Sequence, residues 1–351
     1  MSINFTDLDL EYHDIVKRTS DMGFKLILPE AFFGTGLEVY KTNSIDGKIR
    51  VPYNRIVREL EKCLLNIDIN PDNKYIVMLD ELDKKYDLTS EYKDLVLSLL
   101  DVAGDINSLT YNPKSLYVIV FLRSDIVNKL KDSDLNKYYD DRIDLDWLVE
   151  GVPSQSNLRK LINLRIKTSI VELQNSEDAW QHCFSNEQIL ERSIFEFMLD
   201  RTFHRPRDII QFCKVCQDVT GTKREIRRDD VLNAEEKYSL WLKKEIIDEV
   251  HIEIPQIDYV FDLLRKHGRQ TFTLSEFERK KNLYTELRGV DSEAILSKLF
   301  DFGIIGNYDN SGYRPRVFFL FRSKHDDVKF NKAEDFIIFR GLNKSLKLFR
   351  Y

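Results

Sequence analysis

The sequence is poor in cysteine and has neither an excess of basic charge nor a long apolar run. Four cysteines in 351 residues are too few for the disulfide framework of a small secreted protein. The net charge of −6 provides no general attraction to nucleic acid. No apolar run approaches the ~18 residues of a membrane helix, and the acidic N-terminus lacks the features of a secretory signal. We therefore expect a cytoplasmic protein without a membrane segment.

The sequence also lacks the phosphate-binding loop G-x-x-x-x-G-K-[ST], whose amides and lysine hold the phosphates of a nucleotide. Gly47 and Lys48 are followed by Ile49, and Thr42 stands where the first glycine of the loop belongs. The glycine cluster FFGTGLEVYK at 32–41 has no lysine or hydroxyl in register, so it predicts a tight turn. This absence weighs against ordinary nucleotide binding by the chain.

Cys213 and Cys216 form a C-x-x-C motif, which in other contexts carries redox or metal chemistry. No second pair of cysteines or histidines stands at ligand spacing to complete a metal site. The motif lies in an amphipathic run in which positions i and i+3 share one helix face. We therefore predict that the two thiols pack in the core.

Between residues 75 and 148, apolar strands alternate with longer amphipathic segments. YIVMLDELD at 75–83 and SLYVIVFLRSD at 115–125 are continuous apolar runs, which are typical of strands covered on both faces. The segment at 90–104 predicts a helix that ends at Gly104, and the alternating DRIDLDWL at 141–148 predicts a third strand. This order favours an α/β fold with a parallel sheet.

The rest of the sequence predicts a helical region and then a smaller mixed region. After Pro153 the apolar spacing becomes helical, and Ser185 with Gln188 has the spacing of a capping box, as does Thr273 with Glu276 further along the chain. From Pro255 onward, three short helices, two of them stopped at Gly268 and Gly303, precede a predicted hairpin, which is the order of a winged helix. We predict domain boundaries at 1–150, 151–252 and 253–351.

Polar residues that follow the predicted strands are the candidates for chemistry. Asp80 and Glu81 end the first strand, where phosphoryl-transfer enzymes place one acid near Mg²⁺ and another near the attacking water. Acidic residues also close many strands that have no such role. Arg123 and Ser124 end the next strand, and Arg205 and Arg207 begin a later helix, where forked donors suit phosphate.

These segments, taken in order, resemble bacterial P-loop ATPases of the AAA/STAND-like class that have a helical lid and a C-terminal winged helix. The resemblance covers roughly residues 75 to 345. It implies a P-loop NTPase-type core in which Asp80 is the Mg²⁺ ligand and Glu81 activates water. It further implies that ATP is the cofactor, with Arg123, Ser124, Arg205 and Arg207 as its contacts.

The missing glycine-rich loop separates this sequence from that class. The chain could be a shortened ATPase, its missing half could come from another polypeptide, or it could be a derivative that has lost hydrolysis. The function that the resemblance favours is an ATPase-related switch that regulates a partner, in bacterial defence or stress, with weak hydrolysis by the chain alone. The alternative is a non-enzymatic interaction or DNA-binding protein built on an ATPase remnant.

The predicted winged helix bears on the choice of partner. Its third helix carries Asp291, Glu293 and Asp301 against a single lysine, which is the wrong sign for docking on a polyanion. The basic hairpin residues offer phosphate contacts at Arg314, Arg316 and Arg322. We expect a protein partner or a homo-oligomer in preference to DNA.

Overall fold

The computed structural model describes residues 9–11, 50–52, 74–82, 90–108, 116–123, 126–127, 130, 138, 140–145, 147, 153–223, 225–312, 315–322 and 328–348. The predictions for Gly47–Lys48, the glycine cluster at 32–41, Ser124 and Arg314 lie outside these residues. The chain divides into two compact units, residues 1–142 and residues 143–351. Both helices and strands are present, so the fold is mixed α/β, with small sheets and a helical region in the second unit.

The first unit contains two separate strand pairs and one long helix. Strands β1 (Asp9–Glu11) and β2 (Arg50–Pro52) pair antiparallel. Strands β3 (Tyr75–Leu79) and β4 (Leu116–Val120) pair parallel, in register from Tyr75 with Leu116 to Leu79 with Val120. Helix α1 (Ser90–Ser108) connects them in sequence and contacts β4, as in a βαβ unit.

The side chain of Asn107 hydrogen-bonds to the edge of β4 that does not pair with β3. The side chain of Asn107 donates to the carbonyl of Val118 at 2.8 Å and accepts from the Val118 N–H at 2.7 Å. It therefore satisfies the groups that a third strand would otherwise pair with. The apolar side chains of β3 remain substantially exposed, with Met78 at 60%.

Two predictions for this part of the chain are wrong. Helix α1 does not stop at Gly104 but continues to Ser108. A Cβ on Gly104 would lie 3.1 Å from the ring of Tyr138, so the glycine serves close packing and not termination. The predicted third strand does not form in residues 141–145 and 147. Ile143 and Leu145 are 85% and 71% exposed, so no sheet among the described residues covers their alternating pattern.

The second unit begins with helices, as the sequence predicts. The long ones are α2 (Asn157–Ser169), α5 (Pro206–Thr220) and α6 (Arg228–Val250), with the short α3 (Trp180–Cys183) and α4 (Ile194–Leu199) between them. Three-residue 3₁₀ turns lie at Pro153–Gln155 and Val171–Leu173. Leu158 on α2 is fully buried, Trp147 packs against the same core, and Arg165 is exposed.

The predicted capping box at Ser185 and Gln188 is wrong. Gln188 lies in β5 (Gln188–Ile189), which pairs with β6 (Arg192–Ser193). The capping box that forms joins Ser193 and Glu196 at the start of α4. Ser185 instead donates its backbone N–H to the carbonyl of Ile226 at 2.9 Å, so a long-range bridge outcompetes the local cap.

The last hundred residues contain three helices and an antiparallel sheet. Helices α7 (Ile257–His267), α8 (Leu274–Lys281) and α9 (Ser292–Asp301) occur in the predicted order. Gly268 ends α7 in the left-handed conformation, and Thr273 with Glu276 forms the predicted capping box of α8. Strands β7 (Thr271–Phe272), β8 (Ile305–Asp309), β9 (Arg316–Phe318) and β10 (Asp335–Ile338) have the spatial order β7-β10-β8-β9. The predicted hairpin is β8–β9, and β10 was not predicted.

A single apolar core connects the helices of the second unit to this sheet. The rings of Phe203 and Phe339 stack with their centroids 4.4 Å apart. The hydroxyl of Ser239 on α6 donates to the carbonyl of Gly341 at 2.6 Å, in the 3₁₀ turn Arg340–Leu342. No helix among the described residues has the length and apolar character needed to cross a membrane.

Candidate functional site

The carboxyl ends of β3 and β4 lie side by side, because the two strands are parallel and in register. The N–H of Phe121, just beyond β4, donates to the carbonyl of Leu79 at 2.9 Å and extends the pairing to the strand ends. Asp80 and Glu81 follow β3 directly, and Arg123 follows β4 by three residues. This edge thus brings together the acidic pair and one predicted phosphate contact.

The turn after β3 holds the two acids in a defined arrangement. Glu81 has a φ of +60°, a left-handed conformation that non-glycine residues adopt at a cost. The carboxylate of Asp80 accepts the N–H of Glu81 at 2.7 Å. Both residues are exposed, and carboxylate oxygens are ligands that Mg²⁺ prefers.

Arg123 begins a turn at the end of β4. Its carbonyl accepts the N–H groups of Ile126 and Val127, each at 3.1 Å, and the residue is partly buried. The neighbouring Ser124 lies outside the described residues. Of the two predicted phosphate contacts that follow β4, the structure therefore describes only Arg123.

Arg205 and Arg207 stand at the start of α5, and each forms an ion pair with α6. The guanidinium of Arg205 lies 3.0 Å from the carboxylate of Glu249, and that of Arg207 lies 3.0 Å from Glu245. Both arginines are at least half exposed, and such pairs contribute at most about 1 kcal/mol. The two arginines are therefore held to α6 by bonds that a competing anion could replace.

A buried acid lies immediately after these arginines. Asp208 is 4% exposed and accepts the N–H of Phe203 at 2.8 Å. Burial raises the pKa of this carboxyl to about 6, while Arg205 and the bond from Phe203 act in the opposite direction. Asp208 also interacts electrostatically with the fully buried Tyr238, whose pKa burial raises. In the sequence Asp208 is simply an acid in the first turn of a helix, and nothing there indicates that it is buried.

The hydroxyl of Tyr238 has no hydrogen-bond partner among the described residues. Its ring stacks on Phe212, with the centroids 4.2 Å apart and the two planes 4° from parallel. Packing fixes this ring, so its hydroxyl is buried as a consequence of apolar stacking.

The predicted thiol pair belongs to the core. Cys216 is fully buried, and Cys213 packs against the same core. Burial raises the pKa of the Cys216 thiol, which opposes thiolate chemistry. The described residues hold no group of three or more metal-ligating side chains. The prediction of core packing is confirmed.

The basic residues of the predicted wing are only partly described. Arg316 on β9 forms an ion pair with Asp309 on β8, at 2.5 Å. Arg314 and the side chain of Arg322 lie outside the described residues. On α9, Asp291 caps the helix N-terminus and Glu293 pairs with Lys332 at 3.0 Å. The acidic residues of α9 that weigh against DNA are thus in part engaged within the protein.

Comparisons with known proteins bear on the helical region and on the chain as a whole. Residues 156–247 match the model of a family described as the FunZ-associated C-terminal helical domain, a stretch that runs from α2 into α6. The chain is similar to an 80.3 kDa protein of Escherichia coli strain K12 named for the transposon gamma-delta, with 21% identity over 282 residues. That alignment covers 74% of this chain and 38% of the relative, so the chain spans well under half of the relative's length. No solved structure matches the chain.

Proposed function

We propose that this chain is a switch protein related to P-loop ATPases, in which ATP and Mg²⁺ regulate a protein partner or a second copy of the chain. The observation that carries the proposal is the shared carboxyl edge of β3 and β4, with Asp80 and Glu81 on one strand end and Arg123 on the other. Ligands of parallel α/β sheets bind at the carboxyl ends of their strands. The finer assignment, a P-loop NTPase-type core followed by a helical lid and a winged helix, belongs to the same proposal.

The residues at this edge suit the groups that the proposal requires. Asp80 would hold Mg²⁺ through an exposed carboxylate, and the metal would neutralise phosphate charge. Glu81 would orient a water molecule, from a backbone already fixed by its bond to Asp80. Arg123 with Ser124 would contact phosphate oxygens. Arg205 and Arg207 belong to the second unit, and phosphate contact is the role that the resemblance implies for them.

The ion pairs of Arg205 and Arg207 support the switching part of the proposal. Each arginine must exchange a carboxylate on α6 for a phosphate oxygen, so bound nucleotide would loosen the connection between α5 and α6. Because these pairs are exposed and weak, the exchange is energetically accessible. A bacterial defence or stress response is the setting we propose, because the resemblance to AAA/STAND-like ATPases favours it.

Equilibrium binding of labelled ATP to the full chain with Mg²⁺ tests the proposal. We expect saturable binding that Asp80→Ala and Arg123→Ala both weaken by at least about tenfold. The matched control is Asp94→Ala, which removes an exposed carboxylate from α1 and should leave the affinity unchanged. Circular dichroism of each variant establishes that the fold is retained.

Turnover separates a working ATPase from a nucleotide-dependent switch. Because the chain lacks the glycine-rich loop, we expect little hydrolysis by the chain alone. Substantial hydrolysis that Glu81→Gln abolishes would show that the chain is a complete enzyme and would refute the weak-hydrolysis part of the proposal. No ATP binding at millimolar concentration would refute the switch, and a non-enzymatic interaction or DNA-binding protein would then replace it.

A further inference from the structure

Strand β3 has one edge that pairs with no other described strand, because its pairing with β4 takes up the opposite edge. The carbonyl of Leu79 accepts the N–H of Phe121, just beyond β4. Successive residues of a strand direct their backbone groups to alternate edges, so Ile76 and Met78 direct theirs away from β4. We call this the open edge of β3. Its N–H and C=O groups require partners wherever water is excluded.

The apolar side chains of β3 are exposed on both faces of the strand. Ile76 and Val77 lie on opposite faces and are 49% and 45% exposed. Parallel strands are normally covered on both faces, whereas α1 contacts β4. An exposed apolar surface beside an open strand edge is typical of an interaction site.

Strand β3 also lacks the features by which soluble proteins prevent pairing at an exposed edge. Such edges carry a charged side chain, a proline or a bulge, but the five residues of β3 read YIVML and pair with β4 without a bulge. Charges stand only just beyond its two ends, with the exposed Lys74 before the strand and the exposed Asp80 after it. Because these charges have opposite signs, the strand is complementary to an antiparallel copy of itself.

We propose that β3 pairs through its open edge with β3 of a second copy of this chain, antiparallel and about a two-fold axis at Val77. In this register Ile76 of each copy lies opposite Met78 of the other as a hydrogen-bonded pair. Lys74 of each copy lies opposite Asp80 of the other, so the axis generates the ion pair twice. Opposite charges at directly opposed positions stabilise a strand pair, and a shift of two residues would lose both ion pairs.

The other edge of the sheet limits the assembly to two copies. The outer edge of β4 is engaged by Asn107, whose amide bonds to both the N–H and the carbonyl of Val118. A two-fold contact through a single edge is isologous and closes on itself. The product is a sheet of order β4-β3-β3-β4, in which each β3 becomes a central strand. A foreign strand could also bind an open edge, but the charges at the two ends of β3 match β3 itself.

Charge reversal at the two ends tests both the partner and the register. Sedimentation equilibrium measures the mass of the full chain at micromolar concentration, where we expect a dimer. Because Asp80 is also the proposed Mg²⁺ ligand, the solution contains EDTA and no nucleotide. Lys74→Glu and Asp80→Lys each place like charges opposite one another, and each should weaken dimerisation by about tenfold or more. The matched control Asp94→Lys changes an exposed carboxylate of α1 and should dimerise as the wild type does.

A mixture of the two weakened variants provides the decisive measurement. In a mixed pair, Glu at position 74 of one copy meets Lys at position 80 of the other, and Asp80 meets Lys74 at the second end. An equimolar mixture of Lys74→Glu and Asp80→Lys should therefore form a dimer that neither variant forms alone. Circular dichroism of each variant establishes that the fold is retained.

A disulfide at the proposed axis provides a readout that leaves the charged ends unchanged. The two copies of residue 77 would form a non-hydrogen-bonded pair with Cα atoms about 4.5 Å apart, which is within the range of a disulfide. Val77→Cys should therefore form a covalent dimer in the presence of oxidised glutathione. The wild type, with its four native cysteines, should not, and neither should Leu95→Cys, at an exposed apolar position on α1.

The outcomes separate this dimer from the ATP-dependent switch, because none of the measurements involves nucleotide. A monomeric wild type would overturn the proposal and leave the open edge to a strand of another polypeptide. Charge variants that dimerise as tightly as the wild type would overturn it as well. So would a mixture of the two variants that stays monomeric, or a Val77→Cys variant that does not cross-link.

Discussion

Replacing Asp208 with asparagine separates the cost of burying a charge from the contribution of a hydrogen bond. The asparagine oxygen can still accept the N–H of Phe203, which Asp208 accepts at 2.8 Å, but the side chain no longer ionises. Burial raises the pKa of Asp208 from the ordinary 3.8 to about 6. A shift of this size corresponds to about 3 kcal/mol between the two protonation states.

The sign of the pH dependence follows from proton binding. Because the pKa is higher in the folded state than in the unfolded state, the folded protein binds more protons between about pH 4 and pH 6. The contribution of Asp208 to the free energy of unfolding is therefore fully present below the unfolded pKa and is lost as the pH rises through about 6. Asp208 is the third residue of α5, where the helix dipole favours the charged form by about 0.3–1 kcal/mol. We accordingly expect ionisation of Asp208 to lower the free energy of unfolding by about 2–3 kcal/mol as the pH rises from about 4 to 7.

Urea unfolding at a series of pH values measures this effect. All three tryptophans, at positions 147, 180 and 241, lie in residues 143–351, so tryptophan fluorescence reports on the unit that contains Asp208. We expect Asp208→Asn and the wild type to be about equally stable near pH 4, and the variant to be more stable by about 2–3 kcal/mol near pH 7.

Asp218→Asn is the matched control, because it removes an exposed carboxylate from the same helix. It should change the free energy of unfolding by no more than about 0.5 kcal/mol at any pH. Parallel curves for Asp208→Asn and the wild type between about pH 4 and pH 7 would refute the reasoning, since both states would then titrate alike.

Three further predictions concern the core of the second unit. Arg201→Met should lower the free energy of unfolding by about 3–5 kcal/mol, because it leaves the buried Glu235 without its 2.5 Å partner. Adding Glu235→Leu to this variant should restore most of the lost stability. A double-mutant cycle by urea unfolding measures the coupling energy between the two residues. Tyr238→Phe should be neutral or stabilising by up to about 1 kcal/mol, since the buried hydroxyl has no described partner; a clear loss in the unfolding midpoint would contradict this. Ser193→Ala should cost about 1 kcal/mol in thermal unfolding, because it removes the capping box with Glu196, whereas Ser185→Ala, at the box that does not form, should cost less.

Features that depend on neighbouring residues were predictable from the sequence. The capping box of Thr273 and Glu276 and the left-handed glycine at 268 are as predicted, because both depend on hydrogen bonds and backbone angles within a few residues. The apolar runs that became β3 and β4 were also predictable, and with them the positions of Asp80 and Glu81. The structure adds that the two strands pair in parallel with their carboxyl ends together.

The errors arise where distant residues compete with local signals. Ser185 could have capped a helix, but its N–H bonds to Ile226. Gly104 could have ended α1, but it admits the ring of Tyr138 instead. The alternation at 141–148 could have formed a strand, but Ile143 and Leu145 have no sheet to cover them among the described residues. In each case the local pattern permitted an element, and a tertiary contact or its absence decided the outcome.

The sequence by itself determined the helices of the second unit, the apolar strands of the first and the acidic pair that follows β3, because chain-local propensity and spacing specify these. Only the tertiary structure decided that Asp208 is buried, that Arg205 and Arg207 pair with α6, and that the side-chain amide of Asn343 is buried without a hydrogen-bond partner among the described residues. The physical reason is that exclusion of water depends on residues far apart in the chain. Exclusion of water sets both the pKa of a carboxyl and the cost of an unpaired amide.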